Sequence, residues 1–107
     1  MIAVLFEAEI SPDGQTRYLH LAAELKPLLD EIDGFIAIER FRSLACEDRI
    51  LSLSWWRDEA AVLAWKQNIF HQAAQREGRE SIFSYYRIRI AQVVRDYASD
   101  TQGLQHV

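Results

Sequence analysis

The sequence lacks most of the features that announce a specialised chain. It has one cysteine, Cys46, in 107 residues; an intrachain disulfide is excluded, and without a Cys-x-x-Cys partner neither zinc nor thiol exchange is indicated. Two prolines and four glycines leave long stretches free for regular elements. Twelve Lys and Arg stand against sixteen Asp and Glu, a formal charge of −4. Apart from Arg87 and Arg89 the cations are scattered, which argues against a nucleic-acid partner. The opening MIAVLFEAEI has no basic flank, and Glu7 and Glu9 break its apolar run. It reads as neither a signal peptide nor a membrane span, and a cytoplasmic protein is expected. No GxSxG, HExxH, Walker loop or GxGxxG occurs, so hydrolase, zinc-peptidase and nucleotide-binding readings have no support.

What is present is the composition of one soluble globular domain, half hydrophobic and about a quarter charged. Residues 2–10 read as a first strand, closed by the turn signal Ser11-Pro12-Asp13-Gly14. From Gln15, the apolar positions Tyr18, Leu21, Leu25, Leu28 and Ile32 step by three and four, which predicts an amphipathic helix with Pro27 inside it and Gly34 as its stop. Phe35 to Leu44 and Ile50 to Arg57 read as two strands joined by a polar hairpin loop. Asp58 is an N-cap for a second helical region that runs to about Gly78. Ile82 to Val94 alternates like a long last strand. The order β-α-β-β-α-β predicts an α+β, ferredoxin-like antiparallel sheet with both helices on one face, a domain over residues 1–97 and a polar C-terminal tail over 98–107.

The sheet itself poses a problem of coverage. Strand one sets Val4, Phe6 and Ile10 against Ala3 and Leu5, and strand three sets Leu51, Leu53 and Trp55 against Ile50 and Trp56. A sheet apolar on both faces needs two covers, and one chain has helices for only one. Two copies packed sheet to sheet would supply the second, so a homodimer with a shared barrel-like core is expected.

Candidate chemistry gathers in the second half. His106 lies in the tail and His20 is off its helix face, so both are expected to be exposed. His71 sits among Phe70, Ala73 and Ala74 and suits a base, a donor to a ligand oxygen, or an iron ligand. Trp65 is six residues earlier, about 120° around the axis and about 9 Å along it on a straight helix, too far round to face His71. On that wheel Trp65 shares a face with Val62, Ile69 and Ala73. The pair becomes two walls of one pocket only if the helix breaks at Asn68, a residue that disfavours helix interiors and can cap a new start at Ile69. Such a kink would open a cleft above the sheet, and the aromatic inventory (Trp55, Trp56, Trp65, Phe70, Phe83, Tyr85, Tyr86) suits a flat apolar ligand. Tyr86 and Arg40 are polar tips on strands that can orient a carbonyl or phenolate. Glu7 and Glu39 are strand carboxylates with a smaller claim on a pocket.

Four stretches, EIDGFIAIERF at 31–41, LSLSWWRDEAAVLAW at 51–65, H-x-x-A-Q-x-x-G from His71 to Gly78, and YYRIRIAQVVRDY at 85–97, resemble the antibiotic biosynthesis monooxygenase family of dimeric α/β-barrel proteins. The resemblance implies a ferredoxin-like fold in a homodimer. It also implies oxygenation of phenol- or quinol-type substrates without metal or flavin, the deprotonated substrate giving electrons to oxygen. His71 and Tyr86 are then the catalytic candidates, with Trp65, Phe70, Asn68 and Arg40 as substrate-binding ones. The haem-degrading branch of the family has an asparagine on strand one and a histidine ten residues after the tryptophan. Here strand one reads Phe6-Glu7-Ala8-Glu9 and that later position is Gln75, so haem is disfavoured and no metal or other cofactor is expected. A non-enzymatic small-molecule-binding or stress-related dimer is the alternative.

Overall fold

The structure, a computed structural model, describes residues 1–100. Four strands, β1 (Ile2–Ile10), β2 (Phe35–Arg42), β3 (Arg49–Trp56) and β4 (Phe83–Gln92), form one antiparallel sheet in the order β2-β3-β1-β4. Helix α1 (Pro12–Asp30) follows β1, and α2 (Glu59–Lys66) and α3 (Ile69–Glu77) follow β3. This is the ferredoxin-like α+β architecture expected from the sequence.

Pro12 belongs to α1 rather than to a preceding turn: its missing N–H falls in the first turn, where no intrahelical acceptor exists. Gly34 lies three residues beyond the α1 cap at Glu31, with φ of +95°, and leads the chain into β2. Asp58 caps α2 as expected, accepting from Ala61 N at 3.0 Å. The loop between β2 and β3 is pinned from the far side by the buried Gln15, whose Nε2 donates to the carbonyls of Ile10 and Glu47, both at 3.1 Å. Beyond α3 the π-helical turn Gly78–Ile82, which no pattern in the sequence marks, swings the chain into β4. Among the described residues no helix is long and apolar enough to cross a membrane. The expected tail lies outside the described residues from residue 101 onward, and His106 with it.

The even-numbered positions of β1 and β3 meet the helices. Two buried clusters result: Ile2, Leu29, Trp56, Ala61, Val62 and Trp65 at one end, and Ala8, Ile10, Tyr18, Ile50 and Ile82 at the other. The odd positions form the opposite face, where Phe41 is paired with Leu51, and Leu5 with Leu53, in a surface that no helix among the described residues covers. Glu7 lies on this far face, accepting from Arg89 at 3.0 Å, and neither it nor Glu39 is among the residues lining the cavity between sheet and helices.

Candidate functional site

Between the two clusters lies a cavity of about 250 Å³. Its floor is two rows of residues in register across the sheet: Arg40, Ser52, Phe6 and Ile88 in one, and Ile38, Ser54, Val4 and Ile90 in the other. Helix α1 forms one wall through Tyr18, Leu21 and Leu25, and α2 and α3 form the other through Val62, Trp65, His71, Ala74 and Gln75. Ile88 and Ile90 on the outer strand β4 remain 43% and 53% exposed, so the cavity is open on that side.

The second helical region does break at Asn68. Its side chain accepts from the N–H groups of Phe70, at 3.0 Å, and His71, at 3.1 Å, satisfying donors that the new helix leaves free. In an unbroken helix the Trp65 carbonyl would accept from residue 69. Here it accepts from Asn68 N at 3.0 Å, and His71 Nδ1 lies 3.2 Å from it. The break also brings the His71 ring flat against the indole of Trp65, centroids 4.6 Å apart and planes inclined by 22°. The continuous wheel misplaces Ile69 for the same reason: it does not join Trp65 in the core but is 69% exposed.

This arrangement defines the protonation chemistry of His71. A carbonyl oxygen only accepts, so Nδ1 carries the hydrogen and donates it to Trp65, leaving Nε2 of the neutral ring with a free lone pair. Burial against the apolar wall lowers the imidazole pKa below its ordinary value, opposed by the weaker pull of the Trp65 carbonyl. His71 is therefore held neutral with one nitrogen available as a base.

The other end of the floor is polar. Arg40 Nε donates to the Tyr18 hydroxyl at 3.2 Å, and the guanidinium lies 5.7 Å from the Tyr18 ring centre. Ser52, its neighbour in the row, is buried, whereas the Ser54 hydroxyl is occupied by the Trp56 indole N–H at 2.9 Å.

The six candidates thus fall in three groups. His71, Trp65 and Arg40 line the cavity. Asn68 acts from outside it, as the cap that turns His71 inward. Tyr86 lies one row further along the sheet, opposite Ala8, its ring 6.2 Å from that of Phe6 and 42% exposed; Phe70 is 60% exposed and borders a shallow groove between α1 and α3 instead. Sequence reasoning passed over Tyr18, taken as core, and Ser52, which the alternation of β3 could have marked as a polar position on an otherwise apolar face.

Residues 1–77 match the sequence model of the antibiotic biosynthesis monooxygenase family. The chain belongs to that family. It is 40% identical over 100 residues to a jasmonate monooxygenase of Pyricularia oryzae, an alignment covering 94% of this chain and 46% of that protein, so the chain spans about half the length of this relative. It is 29% identical over 93 residues to YqjZ of Bacillus subtilis, an uncharacterised protein, covering 87% of this chain and 79% of that one. The fold is shared with Rv0793 from Mycobacterium tuberculosis (TM-score 0.79, 11% identity, 91% of this chain and 98% of that one). It is shared equally with a conserved protein from Methanosarcina mazei (TM-score 0.77, 16% identity, 85% and 90%).

Proposed function

We propose that the chain is a cofactor-independent monooxygenase acting on a small phenol- or quinol-type molecule, and that it works as a homodimer. The observation that carries the proposal is the neutral His71, its Nδ1 fixed by the Trp65 carbonyl and its ring stacked on the Trp65 indole at the wall of an apolar cavity. Family membership and the name of the Pyricularia relative support the reaction class.

In this scheme the substrate ring lies over the floor residues Val4 and Phe6. His71 Nε2 takes the phenolic proton, and the apolar walls keep the resulting anion poorly solvated and electron-rich. The anion reduces dioxygen. For a ring methylene activated by the phenolate, one oxygen atom enters as a carbonyl and the other leaves as water: R2CH2 and O2 give R2CO and H2O, the substrate supplying all four electrons. Trp65 supplies a flat wall, and Asn68 fixes the base through its backbone.

Oxygen uptake tests this with anthrone, which has such a methylene, and with 1,4-dihydroxynaphthalene, which has none and instead gives two electrons and two protons to dioxygen, leaving the quinone and H2O2. The proposal expects protein-dependent uptake that falls by about 10²-fold or more in His71→Ala, the usual range for a general base. Uptake no greater than the uncatalysed rate, or unchanged in His71→Ala, contradicts it and leaves the chain a binding protein.

A further inference from the structure

We infer that the cavity is built for an organic acid: Arg40 is an anchor for a carboxylate, and the substrate of the site proposed above bears one on its apolar body. The charge of the lining is the first observation. The protein carries a formal charge of −4, yet the ionisable side chains bordering the cavity, besides His71 and Tyr18, are Lys26, Arg40 and Lys66, with no Asp or Glu among the lining residues. An acidic protein with a cationic cavity concentrates anions there.

The second observation is the state of Arg40. Lys26 is spoken for, since it pairs with Asp30, and Lys66 is an exposed residue at the end of α2. Arg40 is half-buried, and among the described residues no carboxylate pairs with it. Among the described residues its one hydrogen bond is from Nε to the Tyr18 hydroxyl, which leaves the donors of both terminal NH2 groups free of them. Three other strand-borne arginines are paired, whereas Arg87, for which no partner occurs among the described residues, is exposed on the far face of the sheet. Arg49 binds Glu9 and Arg89 binds Glu7 on the far face, and Arg42, two residues along, donates to Gln15.

A half-buried guanidinium whose terminal NH2 groups are free can still take up an anion, and its planar fork matches the two oxygens of a carboxylate. Ser52, adjacent in the floor row, adds a hydroxyl donor within the same corner. Phe6 and Ile88 complete the row, so an acid with its head on Arg40 lays its hydrocarbon along them. The corner thus selects the orientation of the substrate, and His71 the proton that is removed.

Two readouts test this, the first of them apart from catalysis. In the first, 2-naphthoate and its neutral counterpart 2-naphthylmethanol, neither of which is a quinol, are titrated calorimetrically into wild type, Arg40→Gln, Arg40→Lys, His71→Ala and, as a control on the opposite face, Arg87→Gln. Wild type, His71→Ala and Arg87→Gln are expected to prefer the acid by about tenfold or more, as a charge-assisted pair supplies. Arg40→Gln loses the preference and Arg40→Lys keeps part of it. Equal binding of the two ligands, binding of neither at millimolar concentration, or an acid preference that survives Arg40→Gln in a folded variant overturns the inference. In the second, oxygen uptake is compared with 1,4-dihydroxy-2-naphthoate and 1,4-dihydroxynaphthalene, and the acid is expected to have the lower KM only when Arg40 is present. Acid-selective binding without uptake would sustain the anchor and overturn the monooxygenase reading; uptake without acid preference would do the reverse.

Discussion

His71 owes its character to neighbours rather than to its place in the sequence. As a lone histidine in an apolar stretch it was equally legible as a base, a donor or a ligand. The Trp65 carbonyl at 3.2 Å places the hydrogen on Nδ1, and burial favours the neutral ring, so that Nε2 is the unprotonated nitrogen. Burial lowers its pKa in the folded state, so the unfolded chain takes up the proton first as pH falls. The His71 contribution to stability is therefore complete above about pH 6.5, the ordinary imidazole value, and is lost as the pH falls from there through the folded pKa. Denaturant midpoints measured from pH 8 to pH 4.5 are expected to show this decline in wild type, with the slope between pH 6.5 and 5 reduced in His71→Gln. Nitrogen NMR of the ring is expected to report the Nδ1–H tautomer and an apparent pKa under 6.5. Arg40 repeats the lesson: the strand pattern marked it as a polar tip, but only the absence of a facing carboxylate separates it from Arg49 and Arg89.

The break at Asn68 is the element on which the site turns. The sequence showed that Trp65 and His71 lie about 120° apart on a straight helix, and that an asparagine between them was the natural place to interrupt it. It did not show the consequence, because where α3 goes next depends on packing against α1 and on the Arg17–Glu77 ion pair. The four strands and α1 were legible from periodicity and turn residues to within a few positions. The π-helical turn was not, since Gly78 answers to a tertiary contact: a Cβ there would collide with the Phe83 ring. Asn68→Ala removes the side-chain acceptor for two N–H groups and is expected to cost about 1 kcal/mol of stability, a fall in Tm of roughly 4–8 °C for a domain of this size. Asn68→Asp, which keeps the acceptor, is expected to be close to wild type in Tm and in any oxygen uptake, while Asn68→Ala loses uptake as the His71 ring loses its fixed orientation. A full wild-type Tm in Asn68→Ala would show that the cap is not what holds α3.

At the scale of the molecule, the far face of the sheet is the unfinished part. Leu5, Leu51, Leu53 and Trp55 are only partly covered and Phe41 is 44% exposed, with Glu7, Glu9, Arg49 and Arg89 paired among them. A second copy laid on this face would bury the apolar residues that the alternation of β1 and β3 marks as needing a cover. Light scattering at micromolar concentration is expected to give twice the chain mass of 12.4 kDa, and Leu53→Lys to return it to the mass of one chain; a single-chain mass for the wild type would contradict the pairing. Sequence patterning reached this surface because both parities of two strands are apolar. It could not reach the cavity, which depends on how far α1 and the broken second helix stand from the floor.

Whether His71 in its Trp65 seat starts the transfer of oxygen to a bound organic molecule is decided by incubating anthrone under 18O2 with wild type and with folded His71→Ala, and measuring label in the quinone by mass spectrometry. One 18O atom per product molecule is expected, formed well above the protein-free rate by wild type and near that rate by His71→Ala. Label formed by the two proteins at equal rates, or by neither above the protein-free rate, would contradict it.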